Sequence, residues 1–182
     1  VFSLEDEYTG EKIGSKLERI REIMKENGCN AHVLSSLDDI AWLLNIRGND
    51  IAYCPLVLSY AIVYNNSVEL FADIRKFSDD IINLLAENQV KINPYEDIYR
   101  KVSEMTSEDK LLLDSAIMNY SLYQAISKET VIVDKQNPEI LMKSVKNETQ
   151  AENLRKAHLK DAVAHTKFMY WLKKNIGRVE IT

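Results

Sequence analysis

Three histidines, two cysteines, the adjacent aspartates Asp38 and Asp39 and one polar loop are the residues of this chain whose chemistry could build a site. His32 falls in a short run of strand character and reads as a structural histidine with satisfied ring nitrogens. His158 and His165 share one face of a long helix. Seven residues separate them, roughly 10 Å along the axis, which is too far for one metal ion to bond both. Asp161 lies between them at spacings that allow pairing with either. A polar patch and a supporting or substrate-lining role are the two readings of that trio. Asp38 and Asp39 are neighbours, so on a helix they point apart and make no acid/base pair. Charge in a helix's first turn accounts for both. Nothing in the spacing favours a nuclease-like cluster with Asp73 or Asp114. Cys29 and Cys54 lack metal or redox spacing; reduced thiols are expected, and a bridge stays open. The loop Arg47-Gly48-Asn49-Asp50 follows a hydrophobic helix and carries a cation able to bind a carboxylate or to pin the loop. An ion pair inside the loop and a functional role both remain open for it.

Several chemistries are excluded. With 5 glycines the chain has no G-x-G-x-x-G and no G-x-x-x-x-G-K phosphate loop. It has no G-x-S-x-G elbow and no H-E-x-x-H. A net charge of -5 argues against a nucleic-acid partner. No apolar run approaches the ~18 residues of a membrane span, and no signal peptide is read. Hydrophobic residues at 46% and charged residues at 28% of 182 suit one ordinary folded domain with an appendage.

The elements that must carry these residues alternate. Ile13, Leu17, Ile20 and Met24 mark a helix face that Asn27-Gly28 stops. Ala31 to Ser35 predicts a strand, and Ser36 an N-cap for a short buried helix through Leu44. Residues 45–55 read as a loop. Leu56 to Tyr64 and Val68 to Ala72 predict an antiparallel hairpin around Asn65-Asn66-Ser67. A helix over 78–88, a strand at 90–92 and a helix opened by Asn93-Pro94 follow. Strand, helix and strand then recur at 111–113, 120–126 and 131–133. This rhythm predicts an α/β domain with a mixed sheet and helices on both faces. Asn147 and Gln150 predict a capping box for a final helix running to about Asn175, with Gly177 as the stop. That rod of roughly 40 Å exceeds what a small domain needs. Phe168, Tyr170 and Trp171 widen its apolar surface, so part of its partner surface is expected in further sequence or in another copy. Exposed Phe168, Met169, Trp171 and Leu172 would promote association. The chain opens on Val1 and closes just after Gly177 to Glu180, and we expect a piece of a longer protein.

The segment from Leu37 to Ile51, LDDIAWLLNIRGNDI, resembles a stretch of the Xaa-Pro aminopeptidases (aminopeptidase P) that reads approximately L-D-E-I-A-W-L-x-N-L-R-G-x-D-I. The likeness continues through Tyr53-Cys54-Pro55 and Ser59-Tyr60-Ala61. It includes Tyr8-Thr9-Gly10, Leu17 and Arg21. It resumes at Val145 to Glu148, Arg155 to His158 and Asp161 to Val163, a block similar to the start of the family's catalytic domain.

The resemblance implies a creatinase N-terminal-like α/β domain over 11–145. Residues 1–10 would link it to a preceding domain, and 146–182 would be the first helix of a truncated "pita-bread" catalytic domain. It further implies a cytoplasmic, homo-oligomeric metalloexopeptidase that removes the residue preceding proline. That enzyme would use two divalent metal ions, manganese by family habit, held by residues downstream of this chain. No catalytic residue, metal ligand or cofactor is therefore assigned within it. Its partners would be its own C-terminal catalytic domain and peptides with proline in second position, with no nucleic acid and no membrane. Its own part would be cleft capping, substrate access and oligomerisation. Arg47 and Asp50 are the substrate-binding candidates. The alternative is a non-enzymatic peptide- or protein-binding module of the same architecture.

Overall fold

The computed structural model describes residues 1–180, in two compact units, Val1–Val145 and the segment from Lys146 onwards. In chain order the first unit runs β1 (Phe2–Ser3), α1 (Asp6–Thr9), α2 (Ile13–Glu26), β2 (Ala31–Leu34), α3 (Leu37–Leu43) and β3 (Ile46–Arg47). It continues through β4 (Ser59–Tyr64), β5 (Val68–Ala72), a 3-10 turn (Ile74–Lys76), α4 (Asp79–Glu87), β6 (Val90–Asn93) and α5 (Asp97–Ser103). It ends with β7 (Lys110–Leu113), α6 (Tyr120–Ala125), β8 (Val131–Asp134) and α7 (Pro138–Ser144). The second unit is built on α8 (Glu148–Asn175).

Six strands form one sheet in the order β6-β5-β4-β2-β7-β8. The expected hairpin, β4 with β5, sits inside it and is antiparallel. β2 runs antiparallel to β4 and parallel to β7. β5 with β6 and β7 with β8 are parallel pairs. The sheet is therefore mixed, as the alternation of short β-rich and helical segments predicts. Its two faces follow the period-two rule of strands. Leu34, Ala61, Val63, Leu70 and Leu112 face a core shared with α2, α3 and α4. Ala31, Val33, Ile62, Phe71, Leu111 and Leu113 face a second core with α5 and α6. Helices cover both faces.

Four local readings differ from the structure. The acidic lead-in is structured: β1 pairs antiparallel with β3 in the expected loop, Phe2 opposite Arg47. Two-residue strands are too short to show periodicity. α5 starts at Asp97, and Pro94 lies in the turn before it, its carbonyl accepting from the Asp97 N–H at 3.0 Å. Asn93 is still in the β6 ladder, and the residue before a proline favours that extended state. Ser36 occupies the N-cap of α3 without a side-chain bond. α7 is absent from the sequence reading because its seven residues bury one side chain, Glu139. The capping box of α8 forms as predicted. Asn147 Oδ1 accepts from the Gln150 N–H at 2.8 Å, and the Asn147 N–H donates to Gln150 Oε1 at 3.2 Å. Phe168, Tyr170 and Trp171 are exposed on α8, and Gly177 beyond it takes a left-handed φ of 74°.

Candidate functional site

The polar loop is held from below by a buried cation that sequence reading did not single out. Lys16 is on the inward stripe of α2 with Ile13, Leu17, Ile20 and Met24. Its ammonium donates to the Trp42 carbonyl at 2.7 Å and to Asn45 Oδ1 at 2.5 Å, and lies 4.5 Å from the centroid of the Trp42 ring. Burial pushes its pKa down to about 8, with Arg47 and Arg19 adding to the effect and Glu11 opposing it. Asn45 has a left-handed φ of 52°, a conformation its short amide tolerates better than most side chains do. The same amide donates through Nδ2 to the Glu11 carbonyl at 2.9 Å, and the Asn45 carbonyl accepts from the Leu4 N–H at 2.8 Å. Lys16 and Asn45 thus join α1–α2, the end of α3 and the start of β3 at one junction. A groove of about 430 Å³ beside it is lined by Leu4, Asp6, Lys12, Ile13, Asn45 and Glu87, among others.

Arg47, two residues on, is half-buried. Its Nη1 donates to the carbonyls of Ala41 at 2.7 Å and Ile46 at 2.8 Å. Ala41 belongs to the last turn of α3, whose carbonyls lack helical partners, so Arg47 caps that helix with a cation at its negative end. Burial lowers the Arg47 pKa. Asp50 does not pair with Arg47. Its Oδ1 accepts from Lys76 Nζ at 2.7 Å and its Oδ2 from the Leu58 N–H at 2.8 Å. Partial burial alone would raise the Asp50 pKa; the Lys76 and Leu58 bonds outweigh it and hold the carboxyl below the usual range. The two candidates are therefore fixed separately, one to α3 and one to the 3-10 turn, and the internal ion pair does not form.

The chain between them is tight. The Gly48 N–H donates to Pro55 O at 3.3 Å and the Asp50 N–H to Leu56 O at 3.2 Å. Beyond them Tyr53 turns the loop with a φ of 62°, its ring fully exposed. A Cβ on Gly48 would lie 2.6 Å from Val57 Cγ2 and 3.2 Å from the Leu56 carbonyl oxygen. Gly48→Ala is expected to destabilise the fold by about 1–3 kcal/mol, the usual cost of overpacking. Urea unfolding of the variant measures this. Adding Val57→Ala should recover part of the loss, and an unchanged midpoint for Gly48→Ala alone would show that the loop yields freely.

The other chemical candidates disperse. His32 is fully buried, with Nδ1 3.0 Å from the Leu112 carbonyl oxygen and Nε2 3.2 Å from Glu139 Oε2, a structural role as read from the sequence. His158, His165 and Asp161 are exposed on α8, and Asp161 forms an ion pair with neither among the described residues. Asp38 and Asp39 lie in the first turn of α3 as expected, but both also accept from Lys143. Cys29 and Cys54 are free thiols. Among the described residues no three His, Cys, Asp or Glu side chains are grouped to hold a metal ion.

The family model for the creatinase/prolidase N-terminal domain matches residues 1–150. The chain belongs to that family. Xaa-Pro aminopeptidase 1 of Dictyostelium discoideum is 36% identical over 176 residues, 97% of this chain and 28% of its own length. Xaa-Pro aminopeptidase 2 of Mus musculus is 33% identical over 186 residues, 98% of this chain and 28% of its own. The crystal structure of X-prolyl aminopeptidase from Caenorhabditis elegans, described as a cytosolic enzyme with a di-nuclear active site, superposes with a TM-score of 0.85. Its identity is 31%, and the match covers 96% of this chain and 29% of that one. The Xaa-Pro dipeptidase of Bacillus anthracis shares the fold alone, at a TM-score of 0.63 and 16% identity over 87% of this chain and 44% of that one. The chain spans less than a third of the length of these three aminopeptidases. As a creatinase/prolidase N-terminal domain, it carries the long helix α8 after its mixed sheet. No helix among the described residues is long and apolar enough to cross a membrane.

Proposed function

We propose that this chain is the non-catalytic N-terminal part of a metal-dependent Xaa-Pro aminopeptidase, an enzyme that releases the residue preceding proline. The observation that carries the proposal is the likeness to such aminopeptidases over 97% of the chain at 36% identity. The described residues do not fit a di-nuclear metal centre. The two divalent ions, manganese by the family resemblance, belong to residues outside this chain, and we derive no catalytic step within it. Residues 11–145 would form the domain and 146–182 the first helix of the catalytic domain that follows, with residues 1–10 leading in from a domain before. That catalytic domain, a second copy of the protein and Xaa-Pro peptides would be its partners, in the cytoplasm.

Arg47 and Asp50 are our candidates for the edge of the substrate cleft. A guanidinium already fixed by two carbonyls keeps one orientation, and less side-chain freedom is lost when it meets a peptide carboxylate. In the full-length protein, Arg47→Ala is expected to lower kcat/KM for an Xaa-Pro peptide about tenfold, equal to about 1.4 kcal/mol of transition-state stabilisation. Unchanged kcat and KM would remove Arg47 from the cleft. Residues 1–182 assayed alongside with added manganese are expected to show no cleavage, and turnover by them would sink the non-catalytic reading.

A further inference from the structure

α7 is held to its unit by charge rather than by apolar burial. Its one buried side chain is the carboxylate Glu139; Leu141 is 70% exposed, and Met142 packs at the core's margin. Glu139 Oε2 lies 3.2 Å from His32 Nε2 on β2, with both side chains fully buried. His32 Nδ1 lies 3.0 Å from the Leu112 carbonyl oxygen of β7. A carbonyl only accepts, so Nδ1 carries a hydrogen, and donation to the carboxylate through Nε2 makes the ring an imidazolium.

The remaining ties are polar. Lys143 donates to Asp39 Oδ1 at 2.7 Å and also to Asp38 Oδ2, both on α3. Asn137, just before α7, donates through Nδ2 to Asp39 Oδ2 at 3.3 Å and through its N–H to Asp114 Oδ2 at 3.1 Å. The network is incompletely satisfied, since Glu139 Oε1 and Asn137 Oδ1 are buried without a hydrogen-bond partner among the described residues. An apolar helix face docks alike at any pH near neutrality. A helix docked through a buried ion pair does not, because one proton decides whether its contact is attractive.

We infer that α7 is a proton-controlled latch, held against the sheet by the His32–Glu139 pair while the ring is protonated and loosened when the ring loses its proton. This rests on the geometry of the first unit and not on the proposed activity. Burial opposes the His32 cation. The Glu139 charge and hydrogen bond, the Leu112 carbonyl and Asp39 outweigh it and raise the pKa above the ordinary histidine value. For a raised value, docking strength is fully present below the ordinary histidine range and is lost as pH rises through the docked-state value. Lys143 and Asp38 do not interfere near neutrality: each is opposed by burial, but their contact, with Asp39 adding to Lys143, raises the lysine and lowers the aspartate.

Hydrogen exchange of residues 136–145 in the full-length protein between pH 6 and 9, corrected for intrinsic base catalysis, tests the latch. From the ordinary histidine value up to the raised docked-state value, α7 protection is expected to fall by up to about tenfold per pH unit and then to level off, with β2 and β7 amides unaffected, as one linked proton requires. Glu139→Gln supplies an amide that bonds a neutral ring, so its α7 protection should not vary with pH. Constant protection in the unmodified protein, or an undiminished slope in Glu139→Gln, overturns the inference. Should Glu139→Gln fail to fold, Asp38→Asn replaces it. That variant should lower α7 protection at every pH with the slope retained, and a lost slope would transfer the switch to Lys143 and overturn the assignment to His32.

Discussion

Lys16→Met is expected to destabilise the fold by about 2 kcal/mol at pH 7 and by about twice as much at pH 10. Methionine fills similar volume, so the loss comes from polar groups and not from a cavity. The substitution leaves Asn45 Oδ1 without its donor and takes from the Trp42 carbonyl its shorter bond, the one from the Asn45 N–H at 3.4 Å remaining. A buried acceptor left unpaired costs about 1–3 kcal/mol. Burial of the charge itself works the other way and offsets part of that loss at neutral pH.

The pH dependence separates these two effects. Burial depresses Lys16 to about 8, below the ordinary 10.5. Between those values the unfolded chain binds more protons than the folded one, so stability from this group rises with pH. The rise amounts to about 2–3 kcal/mol by pH 10 and is present only while the lysine is. Urea titrations of both proteins at pH 7 and pH 10 give the comparison. A difference between them that stays flat across that range would show that Lys16 is not the depressed amine. The same substitution should raise exchange in residues 45–50, because Asn45 would lose the bond that helps hold its left-handed φ.

Most of the fold was legible because its elements carry strong local patterns. The hairpin of β4 and β5, the stop of α2 at Asn27-Gly28 and the capping box of α8 are each written in a few neighbouring residues. The site was legible in part. Spacing marked Arg47 and Asp50 as an unusual polar pair after an apolar helix, but it gave no partner, and the partners are remote: Ala41 behind and Lys76 well ahead. Lys16 was legible and missed. Positions 13, 16, 17, 20 and 24 form one helical stripe, so a lysine there had to be buried or to bend the stripe. Glu139 was not legible. It sits in a short helix without periodicity, and its partner His32 is 107 residues away. Nothing in a single sequence joins two such residues; only the parallel pairing of β2 with β7 and the return of the chain over α3 bring them together.

That remote contact carries the second large effect. Glu139→Ala is expected to destabilise the protein by about 3 kcal/mol at pH 6, the lower end of what breaking a buried ion pair costs when one charge stays behind. Alanine leaves a space in front of His32 Nε2 and removes the nearest anion, while the Leu112 carbonyl keeps its bond to Nδ1. The orphaned ring then sheds its proton more readily, which caps the cost. In the unmodified protein the pair's contribution is complete below the ordinary histidine value and declines as pH rises through the raised one. The penalty of Glu139→Ala should therefore shrink from pH 6 to pH 9, the opposite trend to Lys16→Met. Measured side by side in urea, the two variants control for each other, since a general pH effect on the unfolded chain would move both in the same direction. A Glu139→Ala penalty that stays flat or grows with pH would mean that the folded pair holds no proton that the variant lacks, and the ion-pair reading would fail.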